Sequence, residues 1–377
     1  MRQPTLPEGL LVSQLQIFAI SWTLEAMLHV CVVKGEEVAE LHSGLVDIGL
    51  ILPLDSITEP RYTLSQDLSM ANFPADTRDA PRRRHADYFL SLAETSHPLL
   101  NGPDQTAWLD RLTADHANIL AAMHHCLEDD DPSRLLRFCG ALQRFWWKRG
   151  HLEEGKTCCN LALNRPGADK PSVERVRTLN GAGVIAKELG DLNSARTLLE
   201  ECLAISQKLA DPRLTASAYN NLGNVAYQSG DFQRALDYHR VSLAIKREIG
   251  DSISGSLGNM GIAAECLGDF KAAQQYQIES LNLRVAANDM HGILLSLENL
   301  GYLSARLGDA NLAATLLGKA EAMRESLGSP LPTSDVTEYT DVVTLVRSKI
   351  GNSDEFDRLW SVGREMNIDS VIELATN

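Results

Sequence analysis

Four glycine–aspartate pairs, Gly190-Asp191, Gly230-Asp231, Gly268-Asp269 and Gly308-Asp309, recur at intervals of 40, 38 and 40 residues. Small residues return in step with them. Gly183, Gly223, Gly261 and Gly301 each precede a pair by seven positions. Ala195, Ala235, Ala273 and Ala313 lie twelve residues beyond those glycines, and Cys202, Ser242, Ser280 and Ala320 seven beyond the alanines. A fixed period of this length in helix-forming sequence specifies a solenoid. One hairpin cannot bury its apolar stripe alone, so neighbours must stack to complete a core. The spacing therefore dictates an all-α array, an architecture that binds partners more often than it catalyses.

Within each unit the local chemistry is consistent. A first helix ends at the pair's glycine, which can adopt a left-handed cap. The aspartate then caps the second helix. Asp211, Asp251 and Asp289 mark the turns from one unit to the next. The alanine and the third small residue share a face of the second helix, where another backbone must come close. A degenerate unit precedes the array around Leu135 to Leu163, with Gly150-His151 in place of Gly-Asp and Gly155 in place of the alanine. Beyond it, Gly351-Asn352 precedes a closing helix pair. Arg82 to Glu128 reads as two amphipathic helices broken near Asn101-Gly102-Pro103. Before Pro81, an apolar helical start followed by helices and a short strand pair suits a small winged-helix unit, with a linker between Pro74 and Pro81.

Composition narrows the function classes. The 377 residues carry a net charge of −15, which opposes a surface built to neutralise phosphates. The one basic cluster, Arg82-Arg83-Arg84, reads as a solvated helix end. Seven cysteines with no C-x-x-C spacing suit a reducing compartment. The apolar run Leu10–Val33 is interrupted by Gln14, Gln16, Glu25 and His29, which argues for buried helices over a membrane span. These features point to the cytoplasm.

The recurring Gly183, Ala186 and Ala195 and their equivalents resemble tetratricopeptide repeats in a 38–40-residue form, with Ser304 departing from the alanine of the other three units. A wider resemblance rests on QIFAISWTLEAMLHVC, EPRYTLSQ, RRRHADYFLSLAE, GPDQTAWLDRLTADHANILAAM, GHLEEGKTCCNLAL and FDRLWSVGREMNIDSVIELA, taken in that order. Together they are similar to the MalT-like repeat region of bacterial STAND-type, LuxR- or AfsR-like regulatory ATPases. The resemblance implies a winged-helix remnant over 1–73, which we expect to be incomplete, and a helical spacer over 74–131. A degenerate repeat over 132–171, four repeats over 172–328 and capping helices over 329–377 follow. It also implies that the nucleotide-binding core and DNA-binding domain of that family are missing here.

Chemical motifs weaken on inspection. GHLEEGKT, Gly150–Thr157, fits G-x-x-x-x-G-K-[ST] letter for letter, but a phosphate loop follows a buried strand. Here the preceding Leu135, Phe138, Leu142, Phe145 and Trp146 keep helical spacing, and Glu153 and Glu154 would oppose an anion. The Gly181–Ala186 stretch lacks the strand a dinucleotide fingerprint needs. His116, His124, His125 and Cys126 lack converging metal spacing, since adjacent helical residues diverge by about 100°. No catalytic constellation, cofactor site or metal site emerges, and the chain reads as no enzyme.

By resemblance, groove positions fall three before and one after each recurring glycine, with others a turn outward. The candidate ligand contacts are Arg177, Asn180, Lys187, Asn220, Asn224, Tyr227, Glu298, Tyr302 and Arg306. Asparagine offers both a donor and an acceptor to an extended backbone, and arginine or lysine could hold a carboxylate. The expected function is a non-catalytic, protein- or peptide-binding module in bacterial signalling or transcription regulation, working with a separate NTPase or output domain and without direct nucleic-acid or membrane contact. The alternative is an ATP-dependent STAND-type transcriptional regulator, or an inert fragment of one.

Overall fold

The computed structural model describes residues 3–56, 59–65, 79–101, 104–331 and 335–376. The linker expected from Pro74 and the Gly102-Pro103 break lie outside the described residues. Two compact units divide the chain, Met1–Leu209 and Ala210–Asn377.

The first unit opens with α1 (Leu6–Leu15), β1 (Trp22–Thr23), α2 (Leu24–Val30), α3 (Val38–Asp47), β2 (Ile51–Leu54) and β3 (Arg61–Leu64). The strands form an antiparallel sheet in the order β1-β3-β2, pairing Trp22 with Tyr62 and Ile51 with Leu64. The expected strand pair therefore gains a third member. Trp22–Thr23 is too short to show a period of two, and it sits inside the run read as helical. Thr23 ends the strand by accepting the Ala26 amide at 3.1 Å and capping α2.

Next come α4 (Asp79–Leu99), α5 (Gln105–Ala114) and α6 (His116–His125). The expected pair of helices is in fact three, because the second half breaks at Asp115. That residue is 2% exposed and faces Arg61 of β3 at 2.6 Å. Asn118, one turn on, donates to the Ser21 carbonyl and accepts from the Ala19 amide, both at 2.8 Å. At this corner the long-range polar contacts tie the sheet to the spacer.

The unit ends with two hairpins, α7 (Ser133–Arg149) with α8 (Leu152–Leu163) and α9 (Val173–Glu188) with α10 (Leu192–Lys208). Gly150 turns the first hairpin with φ +75°. A Cβ on Gly155 would lie 2.8 Å from Trp146 and 2.9 Å from Ile185. The small residue of the degenerate repeat thus marks where helices touch.

The second unit contains α11 (Pro212–Gln228), α12 (Phe232–Glu248), α13 (Ser254–Cys266), α14 (Phe270–Ala286), α15 (Met290–Leu307) and α16 (Ala310–Leu327). It closes with α17 (Val336–Ile350), α18 (Ser353–Glu365) and α19 (Ile368–Thr376). In both units the Gly-Asp turns have one design. The glycines have φ between +79° and +97°, and the aspartate Oδ1 accepts the amide of Ser194, Arg234, Ala272 or Leu312 at 3.0–3.1 Å. Asp211 and Asp289 cap the following helices in the same way. Asp251 does not: it accepts from Ser252, and α13 starts without a side-chain cap.

Each recurring glycine receives the side chain sixteen positions on: Leu199, His239, Gln277 or Leu317, all within 2.9 Å of where a Cβ would stand. The third small position does more than save space. Ser242 and Ser280 donate at 2.8 Å to the carbonyls of Ala216 and Ser254, each 26 residues earlier, and the Cys202 thiol points at the Val176 carbonyl. These bonds pin the second half of α10, α12 and α14 to the beginning of the preceding helix.

The last hairpin departs from this plan. In repeat register Thr344 takes the glycine's place, Phe356 the alanine's and Gly363 that of the third small residue. Phe356 is buried where the other hairpins carry alanine, and α17 and α18 touch less closely than the helices of those hairpins. A cavity of about 340 Å³ lies there, lined by Tyr339, Val343, Phe356 and Trp360. Instead α18 lies directly on α16, where the Gly363 Cα approaches the Thr315 carbonyl and Gly318 approaches that of Trp360. The helix α19 then crosses α14 and α16, burying Val371 and Ala375.

Candidate functional site

Within the second unit, the first helices α11, α13, α15 and α17 touch one another in succession, more closely than α12, α14 and α16 do. The stack bends toward the first-helix side, which becomes its inner face. The polar residues of these helices meet there.

Asn220 and Asn224 stand one turn apart on α11. Asn259 reaches back from α13, its Nδ2 donating to Asn224 Oδ1 at 3.1 Å and to Asn220 Oδ1 at 3.4 Å. The cluster fixes the orientation of all three amides and leaves the Nδ2 groups of Asn220 and Asn224 and the Asn259 carbonyl for other partners. Asn259 escaped the sequence reading, which followed positions three before and one after the glycine. Its signal was present: asparagine recurs two before the glycine at Asn221, Asn259 and Asn299.

One turn further along the helices the face becomes charged. Tyr227 packs on Phe232 with ring centres 5.5 Å apart, and its hydroxyl lies 4.0 Å from the Cys266 thiol. Arg306 Nε on α15 contacts Glu265 Oε1 on α13 at 2.8 Å, and its Nη2 lies 3.8 Å from Glu338 on α17. Burial holds the Glu265 carboxyl above the usual carboxylate range, with Arg306 opposing the rise. Burial likewise pushes the Tyr227 and Tyr302 phenols well above their ordinary value, and nearby carboxylates add to it.

Not every candidate is open on this face. Glu298 is 5% exposed and holds both oxygens against Arg324, at 2.5 and 2.6 Å. It is a structural brace between α15 and α16. Its partner lies 26 residues on, the same reach as the Ser242 and Ser280 bonds, so the pairing follows from hairpin geometry. Arg306 is also engaged by carboxylates, which weakens its reading as a carboxylate holder. Arg177, Asn180 and Lys187 belong to α9 of the first unit. Arg177 is exposed, Asn180 is half-buried, and Lys187 pairs with Glu188 at 2.5 Å.

The phosphate-loop string falls at the α7–α8 turn, directly after a helix. The Gly155 amide donates to the His151 carbonyl at 3.0 Å as part of α8. Glu154 accepts from Trp146 Nε1 at 3.0 Å and contacts His116 Nε2 at 2.7 Å. The Gly155 amide is committed to α8, and the Glu154 carboxylate stands at the turn where a phosphate would have to bind. Of the basic cluster, Arg84 donates to the Val30 carbonyl at 2.6 Å and Arg82 lies 3.7 Å from Glu128. Among the described residues, no three histidine, cysteine or carboxylate groups converge as metal ligands. No described helix is long and apolar enough to cross a membrane.

A family model described as tetratricopeptide repeat matches residues 174–248, which span α9 to α12. A Mycobacterium bovis protein named as an HTH-type transcriptional regulator (Mb0914c) is 26% identical over 247 residues, covering 59% of this chain and 28% of its own length. The chain thus spans little more than a quarter of that relative. Among solved structures, a signal transduction ATPase with numerous domains and a tetratricopeptide-repeat sensor, from Pyrococcus horikoshii, superposes with a TM-score of 0.53 at 16% identity. That match covers 94% of this chain and 56% of the other. A Rap protein complexed with competence and sporulation factor gives a TM-score of 0.51 at 12% identity, covering 82% and 89%. The chain is an all-α protein with tetratricopeptide repeats, and its fold is shared with a STAND repeat sensor.

Proposed function

We propose that this chain is a non-catalytic repeat module that recognises a peptide or extended protein segment on the inner face of α11, α13 and α15. The observation that carries the reading is the Asn220–Asn259–Asn224 cluster, whose amides are held by one another and present donors and an acceptor one helical turn apart. That spacing suits the alternating N–H and C=O groups of an extended backbone. Tyr227 and Tyr302 supply rigid half-apolar walls beside it.

The likeness to the mycobacterial regulator and the STAND sensor supports a setting in bacterial signalling or transcription control, in the cytoplasm, alongside an NTPase or output domain. We assign 1–73 to a winged-helix unit, 74–131 to a spacer, 132–171 to a degenerate repeat, 172–328 to four repeats and 329–377 to the cap. Within the first of these, α3 exposes Glu40, Ser43 and Asp47, a poor surface for phosphates. Its role in this reading is protein contact.

Capture of ligands from a bacterial lysate by the intact chain and by an Asn220→Ala/Asn224→Ala variant tests the proposal. Each lost hydrogen bond is worth about 1 kcal/mol, so the double variant, losing two, should retain about thirtyfold less. Equal capture by both proteins would contradict it.

A further inference from the structure

The charged end of the inner face selects a sign of ligand charge. Two carboxylates, Glu265 and Glu338, face one guanidinium, Arg306, which contacts the first at 2.8 Å and stands 3.8 Å from the second. Of the other charged groups nearby, one pair is closed and one cation is held by a carbonyl. Glu298 and Arg324 form a closed bidentate pair, and Lys349 donates to the Ala305 carbonyl at 2.7 Å. The Glu338 side chain remains 55% exposed, although it lies within electrostatic reach of Tyr227, Glu265, Cys266 and Tyr302 on three other helices. It therefore stands amid the face while open to an incoming group. Tyr227 and Tyr302, both half-buried, are within electrostatic reach of the same carboxylate, and aromatic rings attract cations.

We infer that the peptide bound here carries a lysine or arginine side chain, which lodges between Tyr227 and Tyr302 against Glu338 while its backbone lies on the asparagine cluster. The inference rests on the peptide-binding reading and deepens it. It reverses the expectation that cationic groove residues would hold a ligand carboxylate, because Arg306 is engaged by carboxylates of its own chain. A peptide carboxylate placed here would meet the exposed carboxylate of Glu338.

An array of immobilised octapeptides tests this, with sets that differ at one position among arginine, lysine, glutamine and glutamate, probed with the full chain. The unmodified protein should be retained about fivefold more by arginine or lysine members than by glutamate members, as a partly exposed ion pair gives. Glu338→Gln should flatten the preference, and Glu338→Lys should invert it. The exposure of the side chain leaves folding intact, as thermal melting would verify. Asn220→Ala/Asn224→Ala should lower retention on every set alike and keep the charge preference. If the unmodified chain shows no preference or favours glutamate, or if Glu338→Lys leaves the preference unchanged, the inference falls while peptide binding stands. If no peptide is retained, both fall.

Discussion

Arg61→Ala is expected to be among the most damaging single substitutions in the first unit, lowering its stability by about 3–5 kcal/mol. Arg61 is 5% exposed, and its Nη2 meets Asp115 Oδ1 at 2.6 Å while its Nε donates to Ser21 Oγ at 2.9 Å. Removing the guanidinium strands a buried carboxylate between the sheet and the α5–α6 corner, with only the Asn118 amide, 3.4 Å away, beside it. The cost is that of an unpaired charge, which is larger than the net worth of the pair. Replacing both partners, Arg61→Met with Asp115→Leu, should therefore cost far less than the single change. Urea unfolding followed by tryptophan emission reports on this unit, since Trp22, Trp108, Trp146 and Trp147 lie in it. A single-variant change within about 0.5 kcal/mol, the range of ordinary surface substitutions, would contradict the assignment.

Gly363→Ala should be nearly as harmful in the second unit. The added methyl would stand 2.0 Å from the Thr315 carbonyl oxygen, a backbone atom that no rotamer change can move. The helix α18 must then lift from α16, loosening the buried Phe356 and the Trp360–Glu321 bond at 2.7 Å. Overpacking of this kind costs about 3 kcal/mol. Trp360 is the only tryptophan beyond Trp147, so a red-shifted emission from it in a background lacking the other four would register the lifting. Gly255→Ala is the contrasting control. It lies in α13 with nothing within 4 Å of the new methyl, and should stabilise by about 0.5–1 kcal/mol. If the two glycine variants behaved alike, close helix approach would not explain Gly363.

The repeat architecture was legible because its determinants are local. A left-handed glycine followed by a capping aspartate needs no knowledge of tertiary partners, and a small residue at fixed phase marks a crossing wherever it recurs. The splayed hairpin was also within reach, since Thr344 and Phe356 fall in the glycine and alanine registers. Reading them required extending the register past Leu327, where the Gly-Asp pair becomes Gly351-Asn352. The helix break at Asp115 was not legible. Asp115 pairs there with Arg61, 54 residues away, and no periodicity in α5 and α6 announces that contact.

The candidate face divides along the same line. Helical phase sufficed to choose Asn220 and Asn224, but phase cannot tell an open carboxylate from a braced one. Glu298 keeps the same phase as Asn220 and yet is closed off by Arg324, a partner on the second helix of its own hairpin. Whether a groove residue is open depends on the opposite residue, and a single-helix pattern contains no such information.

Hydrogen exchange of the full chain, with and without the best-retained octapeptide of the array, tests the central claim most directly. Peptide seated on the inner face should slow exchange in 212–228, 254–266 and 290–307, the spans of α11, α13 and α15, and leave α12, α14 and α16 unchanged. Protection confined to the second helices, or to the first unit, would contradict the account.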